Sequence, residues 1–404
     1  MIVRFYTFVF CILSFVCISC SDGDDSPVTE KPGTDNPGGN GEFDPGKVGL
    51  EYDDGTNIAF QVKLAVDKEG YDMRDLEFFK SRLKIQWEAI NERFNKLDKQ
   101  KGFKRNYIFI PDLEDIVIYE RDEEKELTDP GYSHWNVHNL YPTRIDKSKY
   151  QCMVVYDFVV QEGEGGGGYG DDGAGMGNIL VINPSKENIG KFFNHLDENT
   201  STVAAIVHEL GHFRGFEVIY PLCIGADKNP ISNQGFTPIA GIMNNPYPSI
   251  DKCEWSGYEI NCINACGAKK GWRMFDHVMA DYMADYIEVN VTEDGESVEG
   301  FQVNFYIFKD GKVSTEKKAQ MSIEGSKYRK DARELFWYGD YTNDKSLWTY
   351  HKMFLVEVIS DKTGKKGYQF LPFYEPHNQG LMDKYVNPIS GKSVFVMNID
   401  IKNK

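Results

Sequence analysis

The stretch Thr202-Val203-Ala204-Ala205-Ile206-Val207-His208-Glu209-Leu210-Gly211-His212-Phe213-Arg214-Gly215 decides how the rest of the chain reads. Thr202 to Val207 is an apolar run of the kind that buries a helix in a core. On such a helix His208 and His212 project from one face, one turn apart, with Cβ atoms about 6 Å apart. That spacing lets both imidazoles reach one Zn²⁺ at about 2.0–2.1 Å. Glu209 stands about 100° round the helix from His208, where it can hold a metal-bound water and accept its proton. The motif predicts a core helix with His208 and His212 as metal ligands, Glu209 as general base and zinc as cofactor.

Upstream of this helix, Phe60 to Val66 alternates as a strand, and Asn106–Ile110, Asp115–Tyr119, Cys152–Val160 and Asn178–Asn183 read as further strands. Between the first two, Leu76, Phe79, Leu83, Trp87, Ile90 and Phe94 recur at helical spacing with charges between them, predicting a core-facing helix from about Arg74 to Leu97. Strand, long helix, strands, then metal helix is the order of an α+β fold with a mixed sheet packed on helices. The glycine-dominated stretch from Gly163 to Gly177 lacks the G-x-x-x-x-G-K-[ST] pattern, and Asp171 and Asp172 would repel phosphate, so it reads as a flexible loop beside the sheet edge.

The first residues read as an export signal. Arg4 supplies a positive start and Phe5 to Ile18 an apolar run too short to span a bilayer comfortably. Cys17-Ile18-Ser19-Cys20 resembles the lipobox of bacterial lipoproteins, with Cys17 where Leu is usual. That resemblance implies a signal peptide over 1–19 and lipidation of Cys20. Ser21-Asp22-Gly23-Asp24-Asp25 resembles the acidic signal that sends some Gram-negative outer-membrane lipoproteins to the cell surface. Residues 20–48 are rich in Gly, Pro, Asp and Asn and cannot bury enough apolar surface to offset ordering, so they read as a flexible tether. A formal net charge of −17 argues against nucleic acid and against electrostatic binding to anionic lipid, leaving the lipid anchor as the expected membrane contact of a monomer.

Five cysteines follow Cys20: Cys152, Cys223, Cys253, Cys262 and Cys266. The last four cluster after the metal helix, where two disulfides would pin the loops of an exported protein; free thiols or a structural zinc are the other readings. From Tyr286 the periodicity changes to two. Tyr286–Val291, Phe301–Ile307, Met353–Ile359, Tyr368–Leu371 and Ser393–Ile401 read as strands, which predicts a C-terminal β-sandwich of immunoglobulin-like size over 286–404.

Taken together, the motif residues make 49–285 similar to a metzincin-type zinc metallopeptidase. Members carry H-E-x-x-H-x-x-G, matched by His208 to Gly215, and a Met-turn, matched by Gly241-Ile242-Met243-Asn244-Asn245-Pro246-Tyr247 with Met243 as its methionine. The resemblance implies a mixed sheet with long helices, a zinc helix and hydrolysis of a protein or peptide substrate. It departs at the third ligand: the expected position, three residues past Gly215, is Val218, which cannot bind zinc. Glu217, whose longer side chain spans the offset, completes a His₂Glu set; Asp276 or His277 further along, or a site with two protein ligands, are the rivals. The expected function is a secreted, lipid-anchored zinc endopeptidase. The competing expectation is a surface binding or adhesion lipoprotein with a vestigial or structural metal site.

Overall fold

The computed structural model describes residues 52–67, 76–119, 149–156, 167–171, 179–183, 201–214, 219–244, 254–267, 280–337 and 351–402. The stretches expected to be a signal peptide (1–19) and a tether (20–48), with Cys20, lie outside them. The described fold mixes helices with three β-sheets, an α+β architecture.

Strand β2 (Asn57–Asp67) is the spine of the first sheet. Ile58, Ala59, Phe60, Val62, Leu64, Ala65 and Val66 are all buried, so both faces of this strand are covered. It pairs antiparallel with β1 (Tyr52–Asp53) and parallel with β3 (Asn106–Pro111), β4 (Val117–Tyr119) and β5 (Cys152–Tyr156). The sheet continues beyond β5 through β6 (Gly167–Asp171) and β7 (Ile179–Asn183), in the spatial order β5-β7-β6. β7 runs parallel to β5, and β6 runs antiparallel to β7 from Gly167↔Asn183 to Asp171↔Ile179. The glycine-rich stretch is therefore partly a strand and not wholly a loop. Glycine carries little strand propensity, but backbone pairing with the apolar β7 supplies what its side chains do not.

Helix α1 (Leu76–Lys96) packs its Leu83, Trp87, Ile90 and Phe94 stripe into the core. Trp87 Nε1 donates to Tyr156 Oη at 3.0 Å, and Tyr156 Oη donates in turn to Gln86 Oε1 at 2.8 Å, tying α1 to β5. On its next face Asn91 and Asn95, one turn apart, act as a strand would. Asn91 accepts from Phe109 N at 2.7 Å and donates to Phe109 O at 2.8 Å; Asn95 does the same for Tyr107, at 2.9 and 2.8 Å. These two amides satisfy the backbone groups that β3 would otherwise leave unpaired on the side away from β2. Asn95→Ala is expected to cost about 1–3 kcal/mol, because it orphans two buried polar groups of Tyr107 at once. Urea unfolding of the variant measures it, and a cost below 0.5 kcal/mol, the ordinary surface range, would discount the pairing.

Beyond Tyr286 the chain forms two facing sheets. β10 (Phe301–Lys309) lies between β11 (Lys312–Ile323) and β13 (Met353–Ser360), with β14 (Lys366–Pro372) beyond β13. The second has β8 (Tyr286–Glu293) between β12 (Lys327–Asp331) and β15 (Val394–Ile401), with β9 (Glu296–Ser297) closing a hairpin on β8. Phe305 meets Tyr328 across the gap at 5.8 Å, and Ile399 and Ile401 close on the bare backbone of Gly367. All pairs in these two sheets are antiparallel except β8 with β15, which run parallel.

The two parts of the chain touch through helices. In α3 (Gly257–Cys266) Tyr258 shares a 2.9 Å hydrogen bond with His377 Nδ1 in α4 (Tyr374–Leu381), and both rings are buried. Tyr385 Oη donates to Asn264 O at 2.8 Å, and Ile239 N donates to Tyr374 Oη at 3.3 Å. No described helix is long and apolar enough to cross a membrane.

Candidate metal centre

The helix that carries His208 and His212, α2 (Ser201–Phe213), is buried along Val203, Ala204, Ile206, Val207, Leu210 and Phe213, as its apolar sequence requires. It lies against β6 and β7, at the end of the first sheet away from β3. Arg214 ends it. Its buried guanidinium lies over the rings of Phe60 at 4.4 Å and Phe213 at 5.0 Å, and donates to Cys266 Sγ at 3.0 Å and to Gly267 O.

His208 is 4% exposed and its Nδ1 lies 3.0 Å from Ile242 O. A carbonyl oxygen only accepts, so Nδ1 carries the proton and Nε2 is the unprotonated nitrogen. This is the tautomer and the support expected of a metal-binding histidine. Glu209 is 3% exposed, and its Oε2 has no hydrogen-bond partner among the described residues. Burial pushes its pKa up to about 8. A buried carboxylate oxygen with no partner among the described residues, beside a histidine of fixed tautomer, suits a divalent cation and its water.

Met243 belongs to the same cluster. It is fully buried, and a methyl group added at Gly211 would lie 2.5 Å from Met243 Sδ and 3.4 Å from Trp255 Cη2. Gly211, a variable position of the motif, is thus glycine here because the methionine packs directly against the helix backbone. The structure brings His208, Glu209 and Met243 together. His212 lies one turn beyond His208 in α2, with its ring outside the described residues, as are Gly215, Glu217, Val218, Asp276 and His277. Among the described residues no group of three His, Cys, Asp or Glu side chains converges as a metal cluster.

Below the cluster lies a layer that spacing alone did not reveal. Trp255 N donates to Leu97 O at 3.0 Å and Trp255 Nε1 to Phe94 O at 2.8 Å, capping carbonyls at the end of α1 that have no helical partner. Glu254 O accepts from Ile242 N at 3.1 Å. Glu259 is fully buried, and its carboxylate accepts from Met243 N at 3.0 Å and Ser256 N at 2.5 Å. Ser256 and Glu259 form a capping box at the start of α3. Ser-x-x-Glu ahead of an apolar run was the available signal for that helix.

Among the described residues no disulfide is found: Cys152, Cys223, Cys262 and Cys266 are reduced thiols, and Cys253 lies outside the described residues. Cys262 and Cys266 are core residues of α3, and Cys266 is held by Arg214, while Cys223 is exposed. The pairing expected from sequence proximity fails because the helix directs two of these thiols into packed interior.

No protein-family model matches the chain, and no curated protein matches it. Solved structures show low likeness. Catalytically inactive OgpA from Akkermansia muciniphila, crystallised with an O-glycopeptide (glycodrosocin) substrate, is 10% identical at a TM-score of 0.31, over 78% of this chain and 92% of that one. Wild-type OgpA is 10% identical at a TM-score of 0.29, over the same shares. A chaperone–substrate complex is 10% identical at a TM-score of 0.27, over 52% of this chain and 35% of that one, so the chain spans about a third of that protein's length.

Proposed function

We propose that the chain is a zinc-dependent endopeptidase, with a metzincin-like catalytic part, followed by a β-sandwich of immunoglobulin-like size and displayed on the outer membrane of a Gram-negative cell through a lipid on Cys20. The observation that carries the reading is His208 Nδ1 donating to Ile242 O, which leaves Nε2 as the nitrogen that would bind the ion, beside Glu209, whose Oε2 has no hydrogen-bond partner among the described residues. His208 and His212 would hold the ion, with Glu217 as the proposed third ligand. Zinc held there would polarise the scissile carbonyl and lower the pKa of a water. Glu209 would be the general base toward that water and then the general acid to the leaving amine.

Substrate placement follows from the sheet. β6 is hydrogen-bonded to β7 on one side, and no described strand pairs with its other side. In this proposal an extended peptide adds to that edge through main-chain hydrogen bonds, which bring it alongside α2. Two glycines, Gly168 and Gly170, alternate along one face of the edge and leave room for bulky substrate side chains.

The test is metal analysis of the purified protein combined with cleavage of a broad peptide library. About one zinc per chain, cleavage abolished by a chelator and cleavage restored by added zinc are expected. A protein that carries no zinc and cuts nothing in the library would instead favour a surface binding lipoprotein.

A further inference from the structure

We propose that Glu259 is a positioning residue for the metal centre: its carboxylate, seated against Gly241, indexes the 241–243 turn so that the Ile242 carbonyl fixes the ring of His208. The inference rests on the zinc reading above, but its geometry stands on described residues alone.

Every backbone polar group of Ile242 and Met243 is engaged. Ile242 N donates to Glu254 O at 3.1 Å, Ile242 O accepts from His208, Met243 N donates to Glu259 Oε1 at 3.0 Å, and Met243 O accepts from Ile219 N at 3.4 Å. Glu259 and His208 are the side chains in that set. They act on the two ends of one peptide unit: Glu259 holds the Met243 N–H, and His208 uses the Ile242 C=O. A planar peptide unit transmits position, because its N–H and C=O move together. Shifting the Met243 amide therefore shifts the acceptor of His208.

The seat is closed from both sides. A Cβ at Gly241 would overlap Glu259 Oε2, with Oε1 only 2.7 Å away, so the turn presses its backbone onto the carboxylate. That same Oε2 accepts from Ser256 N at 2.5 Å, which ties it to the start of α3. The position of α3 is thus written into the orientation of a metal ligand more than fifty residues away in sequence. Burying a carboxylate costs several kcal/mol unless it is hydrogen-bonded, so a fully buried Glu259 needs both amides it holds.

The test compares Glu259→Gln, Gly241→Ala, Glu259→Ala and the double variant Glu259→Ala/Gly241→Ala. Two quantities are read: zinc affinity by competition with a fluorescent chelator, and the His208 tautomer in zinc-free protein by long-range ¹H–¹⁵N correlation NMR. Wild type should show the Nδ1–H form. Glu259→Gln places an amide N–H₂ or a single acceptor where two donors converge, and Gly241→Ala drives a methyl into the carboxylate. Each should weaken zinc about tenfold or more and mix the His208 tautomers, with far-UV circular dichroism unchanged. In the Glu259→Ala background the added methyl meets no carboxylate, so Gly241→Ala should there change affinity less than about twofold. Effects that simply multiply in the double variant, or an unchanged tautomer and affinity within twofold in both Glu259→Gln and Gly241→Ala, would overturn the proposal. If Glu259→Gln does not fold, Gly241→Ala and the double variant carry the same comparison. A wild-type protein that binds no zinc defeats the endopeptidase reading, and the tautomer measurement still decides the positioning role.

Discussion

Glu209→Gln is expected to lower peptide hydrolysis about 10²–10⁴-fold, the range spanned by loss of one general acid–base group, while zinc stays bound at about one per chain. The substitution is nearly isosteric, so α2 keeps its packing and His208 keeps its hold on Ile242 O. What is lost is the ability to take a proton from the nucleophilic water, which an amide cannot do. The zinc-free variant should be no less stable than wild type. Burial already pushes the Glu209 carboxyl up to about 8, so a neutral amide in the same place avoids a desolvation cost. kcat/KM on the best library peptide, zinc content and thermal unfolding measure the three quantities. Activity within tenfold of wild type, with zinc still bound, would remove Glu209 from the mechanism.

The second large effect is structural. Gly380 in α4 lies against the chain at 282–284, where an added Cβ would overlap Tyr282 O and fall 2.6 Å from Ala284 N and 2.7 Å from Met283 C. Those neighbours are backbone, which cannot rotate aside, and Ala284 N is also donating to Pro376 O at 3.0 Å. Gly380→Ala is expected to cost about 3 kcal/mol or more, at or beyond the upper end of ordinary overpacking. Lifting α4 also disturbs the His377–Tyr258 bond and the Tyr374 hydroxyl on Ile239, so zinc affinity should fall along with stability. Gly325→Ala is the control: nothing lies within 4 Å of its added Cβ, and it should change stability by less than about 0.5 kcal/mol. Denaturant titration of both variants makes the comparison, and equal stabilities would refute the close packing of α4.

Much of the fold was legible where burial imposes a period. The α1 stripe and the strands β2, β3, β8, β10, β13 and β15 read directly, since one residue type per face leaves a regular trace. β11 left none: Lys312, Glu316, Lys317 and Lys318 sit on an exposed edge strand, where charges discourage further pairing and erase the alternation. β6 was hidden for the opposite reason, because its glycines give no side-chain pattern and its pairing is entirely backbone. At the site, the spacing of His208, Glu209 and His212 was readable within one helix. Glu259 was not, because its role depends on a peptide unit sixteen residues away being brought against the start of another helix. Only its part in the capping box has a local signature.

The paired amides of Asn91 and Asn95 bear on how this sheet can meet other chains. By occupying the backbone of Tyr107 and Phe109, they let a helix do the work of a terminal strand, so β3 can neither recruit a neighbour nor seed a fibril there. At the opposite end of the sheet, β6 keeps an edge that no described strand covers. A visiting chain that docked by strand addition at β6 would lie on the strand against which α2 packs.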